Sequence, residues 1–293
     1  MIWQTRDIEA AVRETFGTQR SIVERSSLGG GCINAATKVR LDDGTELLLK
    51  ENSDRYSGLF VGEARGLIAL RSDSGPRVPE PYACGTSGGS QFILMEYVRK
   101  GHKGARFWEE FGRRLARLHT ARRAEQYGFD TDNHIGSPEE RNTRTDSWIE
   151  FFNDHRLGFQ IDLAQRNGAA GASLMRAVHR LMERLPEILT EPDAPSILHG
   201  DLWGGNHMAD QSGAPVIFDP AVYYGHSEAD VAMTELFGGF DRRFYDAYSE
   251  IRTLGSGYTE RKDLYNLYHV LNHLNIFGGG YARSAAAIVE RYS

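Results

Sequence analysis

An α+β fold divided into two lobes is what this sequence predicts. Apolar residues between positions 21 and 98 come in short runs separated by turn signals, whereas from residue 105 onward they recur at helical spacing. The change falls at Arg99-Lys100-Gly101. Residues 1–98 are therefore expected to form a first lobe, a five-stranded antiparallel sheet with a helix, and residues 99–293 a second, mainly helical one. A chain of 293 residues with 40% apolar content can bury a core of that size.

In the first lobe, Ile8, Val12 and Phe16 recur at every fourth position and describe a helix over 5–16, ended by Gly17. Residues 21–27 read as a strand, and residues 36–41 and 46–50 as two more. The last two are joined by Asp42-Asp43-Gly44, because Asp-Gly tolerates the positive φ that tight hairpins need. Between the first and second strands lies a glycine turn, Gly29, Gly30, Gly31, Cys32, Ile33 and Asn34. Without Cβ atoms its N–H groups can approach phosphate oxygens, although such a run is by itself more often an ordinary loop. It is not a Gly-x-Gly-x-x-Gly fingerprint, since Asn34 stands where the last glycine would be, and no Walker A motif occurs. Residues 62–70 form a helix that carries Glu63, with Ala64, Leu67, Ile68 and Arg71 on one face. Val78 to Pro81 is rigid and extended. Residues 82–85 and 91–98 close the sheet as a hairpin, so the backbone at Glu96, Tyr97 and Val98 becomes the natural edge for an adenine ring.

In the second lobe, Phe107, Phe111, Leu115 and Leu118 define a helix to about residue 120. Its other face carries Arg113, Arg114 and Arg117, expected to be solvated. Helices follow over 146–166, 173–190 and 264–277, with a short final one. His269 and His273 have the i, i+4 spacing of zinc-binding helices, but the intervening glutamate and a third ligand are missing. Core packing or substrate contact is the expected use, and His269 joins the candidate substrate residues.

The chemistry is concentrated in Ile197-Leu-His-Gly-Asp-Leu-Trp-Gly-Gly-Asn206 and the strand-like Val216-Ile-Phe-Asp-Pro220. Asp201, Asn206 five residues on and Asp219 thirteen further have the spacing of a phosphotransferase loop. One carboxylate faces the acceptor hydroxyl, while an amide and a second carboxylate supply the hard oxygens that Mg²⁺ prefers. Asp and Asn also populate ordinary turns, so order along the chain matters. Lys50 ends an apolar strand, and Glu63 follows thirteen residues later, the spacing of an ion pair that orients nucleotide phosphates. Asp230 heads an apolar helix either as a first-turn acid or as an acceptor for the N–H groups of the catalytic loop.

Composition narrows the field. A net charge of −6, from 34 basic and 40 acidic residues, argues against a nucleic-acid binder. A polar N-terminus without an apolar h-region, and the lack of long apolar runs, predict a non-secreted protein that does not enter membranes. Two cysteines suit a reducing cytoplasm better than a disulfide framework.

Four segments, residues 30–34, 198–206, 228–240 and 271–281, together resemble the fructosamine kinase (ketosamine-3-kinase) family, in matching order along nearly the whole chain. Leu-Trp-Gly-Gly-Asn is specific to it, whereas His-Gly-Asp-x-x-x-x-Asn is shared with aminoglycoside and choline kinases, which stay open as alternatives. The resemblance implies a protein-kinase-like bilobal fold, ATP and Mg²⁺ as cofactors, and transfer of phosphate to the 3-hydroxyl of a free or protein-bound ketosamine. The 3-phosphate then leaves and frees the amine, so the implied role is deglycation, by a monomer or homodimer. Asp201 resembles the base, Asn206 and Asp219 the metal ligands, Lys50 and Glu63 the phosphate-orienting pair, and residues 29–34 the lid. Trp203 is placed either against the acceptor or in the packing of the loop. The intact set argues against a nucleotide-binding module without catalysis. Gly200 stands in place of the protein-kinase loop arginine, and Pro220-Ala221 in place of Phe-Gly, so a phosphorylated activation loop has no arginine to receive it. Cys32 in the lid would be a redox-sensitive thiol, since phosphate-cradling N–H groups also favour a thiolate. Activity of Cys32→Ala should then resist peroxide, and sensitivity equal to wild type would remove the idea.

Overall fold

The computed structural model describes residues 3–29, 34–121 and 123–292. In the first lobe, β1 (Trp3–Thr5), β2 (Ile22–Leu28), β3 (Ala35–Leu41), β4 (Glu46–Ser53), β5 (Pro81–Ser87) and β6 (Ser90–Glu96) form one sheet in the order β1-β5-β6-β4-β3-β2. Helices α1 (Ile8–Phe16) and α2 (Leu59–Leu70) pack on it. The five expected strands are present and antiparallel. The sixth, β1, pairs parallel with β5 where the periodicity predicts the start of a helix. That helix begins at Ile8 instead, because the Asp7 carboxylate accepts the N–H groups of Glu9 and Ala10 at 3.3 and 3.1 Å and caps it. Gly85 lets β1 come this close, since a Cβ there would stand 1.9 Å from the Thr5 carbonyl oxygen.

Strand alternation assigns the two faces of the sheet. Phe92 and Leu94 join Val39, Leu41, Leu47 and Leu49 against Ile8, Ala11 and Val12 of α1. Ile93 and Met95 join Cys84 in the cluster that holds Phe60, Ala64 and Leu67 of α2. With both faces covered, β6 reads as an unbroken apolar run. Arg77, in the connection from α2 to β5, exchanges backbone hydrogen bonds with the second lobe: its N–H donates to Pro215 O and its carbonyl accepts from Ile217 N–H, both at 2.9 Å.

The second lobe contains α3 (Phe107–Ala121), β7 (Asn133–His134), β8 (Glu139–Glu140), α4 (Trp148–Phe151), α5 (Phe159–Arg166), α6 (Ala172–Glu183), α7 (Leu185–Ile188), β9 (Ser196–Leu198), β10 (His207–Ala209), β11 (Pro215–Ile217), β12 (Tyr223–Gly225), α8 (Ser227–Leu236), α9 (Arg242–Ser249), α10 (Tyr258–Phe277) and α11 (Tyr281–Arg291). The helix expected over 146–166 is continuous but widens into a π turn over Phe152–Gly158. That turn buries Arg156 completely, 3.4 Å from Glu140 and 3.9 Å above the Tyr223 ring. The basic face of α3 is tied to acids of this chain: Arg113 pairs with Glu250 at 2.7 Å and Arg114 with Glu110 at 2.6 Å. Arg113 thus fastens α3 to the end of α9 and Arg114 also reaches the Gly75 carbonyl at 3.2 Å, while Arg117 is exposed as the solvated reading expects. No helix among the described residues is long and apolar enough to cross a membrane.

Candidate active site

Lys50 reaches the cleft through strand alternation: Leu47 and Leu49 face α1, so residue 50 faces α2 and the second lobe. It is only 5% exposed, and its Nζ donates to Glu63 Oε1 at 2.7 Å and to Asp219 Oδ1 at 2.9 Å. Burial works against the ammonium, but the charges of Asp219 and Glu63 outweigh it and hold its pKa above the ordinary lysine value.

The loop between β9 and β10 is laced to the segment that follows β11. Phe218 N–H donates to Asn206 O at 3.1 Å, Ala221 N–H to His199 O at 2.9 Å, and the His199 ring meets Phe218 O at 3.0 Å. These bonds bracket Asp219, which is held at φ 56°, the one positive φ outside glycine among the described residues. Gly200 is required by the same close approach: it sits at φ +82°, and a Cβ on it would lie 1.8 Å from Ala221 O. The absence of a loop arginine here thus has a steric cause.

Asn206 turns its Nδ2 toward Asp201, donating to the carbonyl at 2.8 Å and to Oδ2 at 3.0 Å, with Asp219 O at 3.5 Å. Its Oδ1 and the second carboxylate oxygen of Asp219 are then the atoms left to face a cation. Hard oxygen donors of this kind fit Mg²⁺. Burial pushes the Asp201 carboxyl up to about 7 against the Asn206 hydrogen bond, and the nearby charges of Asp219, Glu140 and Asp230 add to the rise.

Asp230 is the acceptor that shapes the loop. It takes the N–H of His199 at 2.6 Å and of Gly200 at 2.8 Å, while the helix cap is provided by the His226 ring. His119 completes the arrangement with Nε2 at 3.2 Å from Asp230 and Nδ1 at 2.9 Å from the Tyr248 hydroxyl. Burial works to raise the Asp230 pKa, but the His119 hydrogen bond, helped by the Gly200 N–H, outweighs it and keeps the carboxyl below its usual value. An ionised Asp230 needs a donor, so His119 gives its Nε2–H and accepts from Tyr248. The α3 pattern alone gave no sign of this histidine's use.

Comparison with known proteins adds the decisive observation: the fructosamine kinase family model matches residues 3–293. The chain belongs to the fructosamine kinase family. A probable ketoamine kinase of Synechocystis is 40% identical over 289 residues, covering 99% of this chain and 96% of its own. The chloroplastic protein-ribulosamine 3-kinase of indica rice is 43% identical over 288 residues, covering 95% and 81% respectively. A crystal structure of a candidate fructosamine-3-kinase from Haemophilus somnus superposes with a TM-score of 0.87 at 29% identity, covering 97% of this chain and 96% of that one. The architecture is the protein-kinase-like one, and the protein is a kinase.

The remaining candidates are placed as follows. Gly30, Gly31, Cys32 and Ile33 lie outside the described residues, together with the redox idea for Cys32. Of their flanks, Asn34 accepts from Asn52 Nδ2 at 2.6 Å. Glu96 spends its N–H on Glu80 O at 2.8 Å and its carboxylate on Arg77, which also reaches Asp210 at 2.6 Å. A cavity of about 590 Å³ lies against this cluster, lined by Arg77, Glu96, Tyr97, Val98 and Asp210 among others; none of its lining belongs to the 199–206 loop. Trp203 is 39% exposed, and its indole covers Gly205, where a Cβ would stand 2.3 Å from the ring. His269 is enclosed in α10 at 3% exposure, and its Nδ1 has no hydrogen-bond partner among the described residues.

Two glycines of α2 carry a role the sequence did not announce. A Cβ on Gly62 would lie 2.9 Å from the Asn133 Cβ, and one on Gly66 2.9 Å from Val222 Cγ2. Asn133 in turn donates to Val222 O at 2.8 Å. The helix bearing Glu63 therefore lies directly on the second lobe, a glycine at each contact. Gly62→Val should push α2 away from Asn133, carry Glu63 off Lys50 and lower kcat at least ~10²-fold in a folded protein. Undiminished turnover with normal circular dichroism would show that the helix can shift freely.

Proposed function

We propose that this kinase transfers the γ-phosphate of ATP to the 3-hydroxyl of a ketosamine, free or carried on a protein amine, as the first step of deglycation. What supports the reading most is one connected array: Glu63 to Lys50, Lys50 to Asp219, Asp219 to Asn206, Asn206 to Asp201, each within 3.5 Å of the next. The acceptor assignment draws on the names of the relatives, ketoamine kinase and protein-ribulosamine 3-kinase.

In this reading Asp201 aligns the acceptor hydroxyl and takes its proton as the new O–P bond forms and the bond to the departing ADP breaks. A carboxyl poised near 7 suits a group that must both hold and release a proton. Lys50, kept in place by Glu63, orients the α- and β-phosphates. Asn206 and Asp219 would hold Mg²⁺, which neutralises charge on the phosphates when bound. Residues 1–98 form the nucleotide lobe, with Gly29 to Asn34 as its lid and Glu96, Tyr97 and Val98 as the adenine edge. Residues 99–293 form the acceptor lobe, with Trp203 as a platform beside the sugar and His269 behind it. The reaction is assigned to the cytoplasm.

Asp201→Asn should abolish turnover, by at least ~10³-fold on the scale of lost proton transfer and positioning, while ATP binding measured by calorimetry stays within a few-fold. Retained turnover would remove the base assignment. The acceptor is tested by ADP release against ribulosamine, fructosamine, aminoglycoside and choline. Ketosamines are expected to win on kcat/KM, and preference for an aminoglycoside or choline would overturn the acceptor while leaving the kinase chemistry standing.

A further inference from the structure

The catalytic loop opens onto a strip of exposed aromatic rings of which the chemistry above uses only the first, Trp203. Trp203, Phe237 and Phe277 are 39%, 42% and 54% exposed, half of the six large apolar side chains that stand out at the surface among the described residues. They are contiguous. Trp203 meets Phe237 edge-on with centroids 6.0 Å apart, Phe237 meets His273 at 5.0 Å, and His273 meets Phe277 at 5.5 Å and Tyr281 at 5.2 Å. The rings come from the catalytic loop, the residue after α8, the last turns of α10 and the first residue of α11. Glycines flank the strip: Gly238 and Gly239 follow Phe237, and Gly278 to Gly280 follow Phe277. A Cβ at any of these five positions would meet nothing within 4 Å, so the border is bare. Exposed rings scattered singly need no explanation, but a run of them marks a contact surface.

We infer that this strip docks a polypeptide segment that carries the ketosamine on one of its lysine side chains. The inference rests on the ketosamine reading above. With the sugar hydroxyl at Asp201, the amine substituent leaves past Trp203, two residues away. From there the strip continues for three ring-to-ring steps of 5.0 to 6.0 Å. A small hydrophilic amine would reach only the first ring, whereas several residues of extended chain, at about 3.3 Å each, match the run. Aromatic faces receive apolar side chains and the stems and cations of further lysines alike. The enzyme's net charge of −6 also favours a basic, lysine-bearing segment over an acidic one.

The test uses the full-length protein and two acceptors bearing the same ketosamine, one on glycine and one on the central lysine of a short peptide with leucine and phenylalanine beside it. Phe277 lies at the far end of the strip from Asp201. Phe277→Ser should raise KM for the peptide about five- to tenfold, as for a single interface anchor, with kcat unchanged. It should leave kcat/KM for the glycine adduct unmoved, and Phe277→Tyr should restore the peptide value. Equal effects on both acceptors, or none, would overturn the docking surface. So would a wild-type enzyme that handles the peptide no better than the glycine adduct, an outcome that spares the ketosamine reading. A wild type inactive on both adducts sinks that reading and the docking surface together. If Phe277→Ser instead converts a dimer to a monomer in sedimentation without moving the peptide KM, the strip is a contact between copies and the inference fails.

Discussion

A buried ammonium, that of Lys50, bridges the cleft between the two lobes. An isolated charge as deep as Lys50 would cost several kcal/mol to desolvate, so it persists only because two carboxylates meet it. One, Glu63, comes from its own lobe, and the other, Asp219, from the opposite one. The ion is thus a tether across the cleft and, in the proposed reading, a cation set in advance for phosphate oxygens. Because its pKa lies above the ordinary 10.5, the ammonium's own titration removes none of this stabilisation below 10.5 and removes it only as pH climbs through the raised value. Throughout the neutral range the tether is charged.

The other parts of the proposed site are likewise held by fixed packing. Asp230 and His119 fix the loop from below, bonds between Phe218, Asn206, Ala221 and His199 fix Asp219 from the side, and Gly62 and Gly66 seat α2 from above. In a kinase switched by phosphorylation, the helix that carries the glutamate must be free to move. Here that helix lies against Asn133 and Val222 without room for a methyl group, and Gly200 replaces the arginine that would read a phosphate. Such an enzyme is assembled ready for substrate.

Much of this was legible beforehand, and the reasons are physical. The strands of the first lobe announced themselves because a covered sheet needs apolar runs and because Asp42-Asp43-Gly44 can only be a tight turn. That Lys50, Glu63, Asp201, Asn206 and Asp219 meet in one hydrogen-bonded array was legible because the proposed chemistry restricts residue type and spacing at once. What stayed hidden depends on contacts distant in sequence. The β1 strand is three residues long and owes its pairing to Gly85, far along the chain. Asp230 had two equal readings until the structure gave the cap to His226. Gly62 and Gly66 look like weak points in a helix until Asn133 and Val222 are seen against them, and no periodicity signals the π turn around Arg156.

The apolar cluster that contains Phe60, Leu67, Ile93 and Met95 of the first lobe is the same one that contains Phe111, Ile217 and Tyr268 of the second. Only the smaller cluster beneath α1 belongs to the sheet alone. A chain cut near residue 98 would leave the α2 face of its sheet, and the Lys50 ammonium, open to water. The amino-terminal piece would then clump or stay loose in isolation, and mixing it with the remainder would have to rebuild a shared interior before any phosphate could be moved. The cleft separates two shapes, but the molecule folds as one.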